Sequence, residues 1–236
     1  MPEKAEERSK LQEISFMGKV TASLSHEIKN TLAIINESVG LMGDLLRKDA
    51  PDAWPTYSRL ATLVASIEEQ VQRSAGIVKR LNQFAHSMDK SLAELDLNET
   101  VRQTVLLAQR FANLRRVNLE TDLESKPLHI RSDPFRLIYV IFSFIERAIN
   151  CSPKEAKVTA KTERSGETFQ VTVTDQGTLE ADQIRELLTS SPLAGGEEGE
   201  SGLAILAQTI EVLGGTVTAE HGGGGRNKVV LTFPAK

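Results

Sequence analysis

The chain has a single cysteine in 236 residues, Cys151, which rules out an internal disulfide framework and fits a reducing compartment. It has no apolar run long enough to span a bilayer, and its opening residues, MPEKAEERSK, are charged where a signal peptide would be apolar. It also has no excess of basic residues. The 28 lysines and arginines stand against 32 aspartates and glutamates, a formal net charge of -4 that gives no electrostatic reason to bind nucleic acid. Together these absences point to a cytoplasmic protein with no membrane insertion and no nucleic-acid partner. If the chain is complete, it carries neither a sensor module nor an anchor of its own. With 40% hydrophobic and 25% charged residues, it can build one large or two ordinary domains with real cores.

From about Ala5 to Lys48 the apolar residues recur with a helical period. At about 100° per residue, Ile14, Met17, Val20, Leu24, Ile28, Leu32, Ile35, Val39, Met42 and Leu46 fall on one stripe. His26 falls nearly opposite, with Lys19, Ala22, Ala33 and Glu37 on its side and Asn30 one turn on. A histidine satisfied within a core would sit on the apolar stripe, so this one is expected to face solvent. The helix is far longer than the typical globular helix of about 11 residues, which suggests a bundle or coiled coil. Asp49 to Pro55, with two prolines and two aspartates, stops it and caps a second helix. Tyr57, Leu60, Val64, Ile67, Val71, Val78, Leu81 and Phe84 carry that second helix to about Met88. Two long helices on a short loop form an antiparallel hairpin that cannot bury both apolar stripes alone. Pairing with a second copy into a four-helix bundle covers them, so a homodimer is expected.

An exposed neutral imidazole is a good nucleophile and can carry a phosphoryl group on one ring nitrogen while a carboxylate holds the other. Glu27 is adjacent and placed to do that, and Asn30 can position a phosphoryl oxygen or a water. The run Ser25 to Ala33, SHEIKNTLA, resembles the H-box of two-component sensor histidine kinases, with Thr31 where this variant often has proline. The resemblance makes residues 1–92 a dimerisation and histidine phosphotransfer domain, with His26 as phosphoryl acceptor. The spacing Glu27-x-x-Asn30 resembles the family's phosphatase signature. The partner implied is the receiver domain of a response regulator, docking near His26 on exposed residues such as Lys19, Ala22 and Ser23.

At Ser91 to Asn98 the helical period gives way to a short extended segment, and Asn98 is placed as N-cap of a helix to about Asn113. Val117 to Thr121 and Leu128 to Arg131 read as strands, and Asp133-Pro134 opens a helix, Phe135 to Asn150, that is apolar nearly all round. Lys157 to Thr162 and Phe169 to Thr174 form a hairpin across Arg164 to Glu167. Gly202 to Leu213 is a helix ended by Gly214-Gly215, and Thr216 to Glu220 and Val229 to Phe233 flank a four-glycine turn at 222–225. That order predicts an α/β sandwich, a mixed sheet covered by helices on one face, and an α+β class for the whole chain. Residues 93–236 resemble the catalytic ATP-binding domain of the same family, a fold shared with gyrase-type and chaperone-type ATPases. The matching stretches are Leu95-Asp96-Leu97-Asn98, Ser132 to Leu137, and Leu203-Ala204-Ile205 followed by Gly214-Gly215.

The nucleotide site departs from that pattern. Where the family's buried helix carries an asparagine N-box whose second asparagine helps hold magnesium, this chain reads Ser143-Phe144-Ile145-Glu146-Arg147-Ala148. Arg147 stands at the metal position, and a guanidinium has donors only and ligates no hard cation. It could contact a phosphate directly. The next element reads Asp175-Gln176-Gly177-Thr178-Leu179, with Asp175 at the position that accepts the adenine amino group and Gly177 as its first glycine; the second glycine is missing. The lid, Pro192 to Gly202, is short and carries three glutamates, which repel a triphosphate, although Gly202 keeps the last glycine of the motif. The candidate cofactor-binding residues are thus Glu146, Arg147, Asp175, Gly177 and Gly202, with no metal ligand set. The glycine run at 222–225 is a hairpin turn with no phosphate role.

The two halves imply a dimeric two-component phosphorelay protein. It would exchange a phosphoryl group between His26 and a receiver aspartate, with phosphatase activity as a second outcome; no cofactor is certain, and ATP with magnesium is the candidate. Two other readings stay open here: an ATP- and magnesium-dependent histidine autokinase with an unusual N-box, and a non-enzymatic dimeric scaffold that sequesters a response regulator.

Overall fold

The computed structural model describes residues 2–48, 54–89, 91–177, 183–184, 198–222 and 226–235. The chain divides into two compact units, residues 17–85 and residues 1–16 with 86–236. The first unit is a helical hairpin. It takes most of α1 (Pro2–Lys48) and of α2 (Trp54–His86), the two long helices the apolar periods predict.

Inside the hairpin Val20, Leu24, Ile77 and Phe84 are buried. Thr31 is buried too, and its hydroxyl is satisfied twice: it donates to Ile28 O at 2.9 Å and meets Ser74 Oγ of α2 at 2.6 Å. A proline at this position would remove a helix N–H and offer no such cross-link. One hairpin has a single contact face, so part of the predicted stripe stays bare. Leu32 and Val39 on α1 are each 54% exposed, while Val64, Val71 and Val78 on α2 are 41, 49 and 43% exposed. Both sets recur every seven residues, the spacing of a seam that another helix can fill.

The second unit is the α/β sandwich. After β1 (Ala93–Asp96) and α3 (Leu97–Arg115) come β2 (Asn118–Asp122), β3 (His129–Ser132), α4 (Pro134–Cys151), β4 (Lys157–Ser165) and β5 (Thr168–Asp175). Then follow α5 (Glu198–Val212), β6 (Thr216–Gly222) and β7 (Arg226–Pro234). The main sheet has strand order β2-β4-β5-β7-β6, with β2 parallel to β4 and the other pairs antiparallel; β1 and β3 form a separate two-stranded ladder. Gly214 (φ 77°) gives α5 its left-handed stop. Gly215 lets the chain turn under β7, because a Cβ there would lie 2.8 Å from the Phe233 ring.

One cap differs from expectation. The N-cap of α3 is Asp96, whose carboxylate accepts from Asn98 N and also from Leu128 N. Asn98, two residues inside the helix, is buried and points the other way: it donates to Glu124 O and Lys126 O and accepts from Thr162. Asp and Asn are equally good caps, and the loop carbonyls that need the Asn98 amide lie 26 and 28 residues downstream, beyond local pattern.

Helix α4 is the centre of this unit. Asp133 caps it, Pro134 opens it, and eleven of its side chains are buried, from Phe135 to Ile149. One flank meets α3, where Phe111 stands edge-on to Phe142 at 5.5 Å. Another meets the first turns of α1: the Phe16 ring lies 5.8, 5.4 and 4.9 Å from those of Phe135, Tyr139 and Phe142. Tyr139 donates to Gln12 Oε1 at 2.8 Å, and Arg136 Nε stands 3.3 Å from Glu13 Oε1 as an ion pair. Residues 1–16, hairpin by sequence period, therefore group with the sandwich. Phe16→Ala should cost about 3–5 kcal/mol in chemical denaturation, whereas Ile14→Ala, at 63% exposed, should stay within about 0.5 kcal/mol. Burial, then the nearby Glu13 charge, raise the Tyr139 hydroxyl pKa above its ordinary value. The neutral phenol is thus favoured in the folded state, so its stabilisation is full below about pH 10 and declines as pH rises beyond it. Tyr139→Phe should flatten that alkaline decline in denaturation series run from about pH 8 to about pH 11.

Candidate functional site

On α1 the structure places His26 on the exposed side, with Lys19, Ala22, Ala33, Glu37 and Asn30 also exposed. His26 and Asn30 are four residues apart on one helix, hence one turn apart on the same face. Ser23, expected on the docking face, is instead buried: it falls beside Leu24 on the side of α1 turned into the hairpin. Glu27 is half-buried, and its Oε2 stands 3.7 Å from Arg80 Nη2 of α2. That is an ion-pair distance, longer than a hydrogen bond, and such partly exposed pairs contribute about 0–1 kcal/mol. Its consequence is positional, because the carboxylate of the residue that follows His26 is tethered to α2. One turn on, the Thr31–Ser74 hydroxyl contact joins the two helices and fixes the backbone that carries Asn30.

The second cluster lies in the sandwich, where α4 meets the end of β5. Along β5 the residues Phe169, Val171 and Val173 are buried in alternation, and Asp175 follows in the same phase. Its carboxylate is therefore carried into the interior and is 0% exposed. Three donors meet it. Arg147 Nη2 donates to Oδ2 at 2.7 Å, while Gly177 N at 2.7 Å and Asn227 Nδ2 at 3.3 Å donate to Oδ1. Asn227 stands directly opposite Asp175 in the β5–β7 register and also donates to Gly177 O at 3.2 Å. Gly177 has no room for a side chain: a Cβ would lie 2.7 Å from Asp175 Oδ1 and 2.8 Å from Cys151 Cβ. The Arg147 side chain is 11% exposed, and its Nε and Nη1 are buried without a hydrogen-bond partner. Glu146, the preceding residue on α4, is half-buried.

The structure thus brings three of the five expected cofactor residues together, Arg147, Asp175 and Gly177, in an arrangement that the sequence did not announce. Arg147 turns toward the carboxylate. Gly202 lies in α5, which begins at Glu198 rather than at Gly202. The rest of the lid, residues 192–197, and Thr178-Leu179 lie outside the described residues. Three contributors escaped sequence reasoning. Asn227 is 52 residues from Asp175, and only strand register could have paired them. Arg80 and Ser74 sit on α2 opposite the histidine segment, and their pairing depends on where the hairpin turns. Among the described residues, no group of three or more His, Cys, Asp or Glu side chains could hold a metal, and no helix is long and apolar enough to cross a membrane.

Comparison with known proteins bears on the fold that carries these residues. Residues 132–236 match the family model of the histidine kinase-, DNA gyrase B-, and HSP90-like ATPase. Among curated proteins, the sensor histidine kinase ZraS of Escherichia coli (strain K12) is 24% identical over 230 residues, covering 97% of this chain and 48% of ZraS. The chain spans about half the length of the curated relatives it matches. Among solved structures, the catalytic domain of the histidine kinase ThkA superposes with a TM-score of 0.55 at 19% identity, covering 62% of this chain and 99% of that one. ThkA in complex with the response regulator protein TrrA gives 0.53 at 20% identity, covering 98% of this chain and 65% of that one. Residues 132–236 thus carry the ATPase-type domain of that family model, and over nearly its whole length the chain is similar to sensor histidine kinases.

Proposed function

We propose that this protein is a homodimeric, cytoplasmic phosphorelay component that carries a phosphoryl group on His26 and exchanges it with the aspartate of a response regulator receiver domain. The observation that carries this reading is the placement of His26: exposed, on the face of α1 that also presents Asn30. An imidazole nitrogen attacks the phosphorus of the aspartyl phosphate. The P–N bond forms as the P–O bond breaks, and the aspartate leaves as a carboxylate. Glu27 accepts from the N–H of the other ring nitrogen and keeps the attacking one unprotonated. Asn30, one turn away, positions the phosphoryl oxygens, or a water when the group goes to solvent. Residues 1–92 act as the dimerisation and phosphotransfer domain and 93–236 as the ATPase-type domain. The solved complex of ThkA with a response regulator supports the choice of partner. The heptad-spaced valines and leucines of the hairpin support the homodimer: three valines on α2 and two residues on α1 are each more than 40% exposed in the single chain.

Two measurements test this. Receiver domains from the same genome, labelled on aspartate, should pass acid-labile label to the wild type and none to His26→Ala. Asn30→Ala should keep the transfer and slow loss of label to water about tenfold or more. If label never reaches the wild type from any receiver, the phosphotransfer reading fails. In light scattering at micromolar concentration the wild type should weigh twice the chain mass, and Val71→Glu, which buries a charge in the seam, should shift it to monomer. A monomeric wild type overturns the homodimer.

A further inference from the structure

The fold family brings with it a magnesium–nucleotide site, and the residues present do not fit it. The adenine position calls for a free carboxylate, and the metal position on α4 calls for an oxygen ligand. Here one residue removes both. Arg147 supplies only N–H donors where the oxygen ligand would stand. The same guanidinium spends Nη2 on Asp175, at 2.7 Å.

We propose that Arg147 is the built-in occupant of this site: its guanidinium takes the Asp175 carboxylate from within, and the chain therefore binds no magnesium–ATP. Asp175 has no exposed surface, and donors from α4, from its own turn and from β7 surround it. To reach it, an adenine amino group would have to displace a cation and put a neutral donor in its place. Charge-assisted hydrogen bonds are about twice as strong as neutral ones, so the exchange runs uphill. Expelling Arg147 also strands a positive charge beside the position where magnesium would sit, and the two repel. Arg147 itself leaves Nε and Nη1 buried without partners. A group held at that cost stays because its charge is matched by Asp175, and breaking such a pair penalises the partner left behind. Gly177 tightens the arrangement, since it packs on Cys151 of α4 with no space for a Cβ and so holds the β5 end against the helix that carries Arg147. This inference does not depend on His26 carrying phosphate, because it concerns equilibrium binding alone.

The test is calorimetric titration of the full chain with ATP, with and without magnesium. It is run beside amide hydrogen exchange of residues 145–151 and 173–177. The wild type should give no saturable heat up to millimolar ATP, no response to magnesium, and unchanged exchange in both segments. Arg147→Asn, which frees Asp175 and restores an oxygen ligand on α4, should gain binding that magnesium strengthens by about tenfold or more. Saturable magnesium-dependent binding by the wild type, or new protection in either segment, overturns the proposal. So does a folded Arg147→Asn that still binds nothing. Arg147→Gln, which keeps more of the side-chain volume, replaces the asparagine variant if that one melts below the assay temperature, and the wild-type exchange experiment decides the case if both variants unfold.

Discussion

A helix with apolar side chains nearly all the way round must be covered on every flank, and α4 places that demand on the whole sandwich. The sheet covers one side through Val171, Val173 and their neighbours. Helix α3 covers another through Phe111. The remaining flank is closed by the first turns of α1, where Phe16 settles among Phe135, Tyr139 and Phe142. Without those early residues three aromatic rings would face water, and burial of each aromatic ring is among the larger single contributions to a core. That is why the first sixteen residues group with residues 86–236 although they belong to the helix that carries His26.

The same helix ties the core to the candidate nucleotide site. Arg147 sits on α4 between Ile145 and Ile149, which are wholly buried, and so its guanidinium emerges in low-dielectric surroundings. A cation there needs an anion, and Asp175 at the end of β5 supplies one. The charges satisfy each other inside the fold. His26 is in the opposite situation, exposed on its helix, with its adjacent carboxylate held by Arg80 rather than by a group of the sandwich. In this chain the histidine of α1 is open to solvent, and the place where the fold family keeps its nucleotide is filled from within.

Much of this was legible in the chain. The 3.6-residue period located both long helices and put His26 opposite the stripe, because burial of one face is decided residue by residue. Asp133-Pro134 marked the start of α4 correctly, since cap and first-turn preferences are local. Locality also explains the errors. Asp96 and Asn98 are both good caps two residues apart, and which one caps was settled by loop carbonyls 26 and 28 residues away that needed an amide. Ser23 was read as exposed, but the buried side of α1 is rotated from the apolar stripe: Ser23, Thr31 and Ser38 are buried while Leu32 and Val39 of the stripe stay exposed.

The sequence by itself determined the element types, the sandwich and the exposure of one histidine, because each follows from short-range periodicity, capping and turn chemistry. Tertiary structure alone decided where Arg147 points. From sequence, a guanidinium at the metal position was equally ready to meet a phosphate. Folding brought a buried carboxylate from β5, which also accepts from an asparagine of β7, to within hydrogen-bond reach, and the need to neutralise a charge in a dry interior selected that partner.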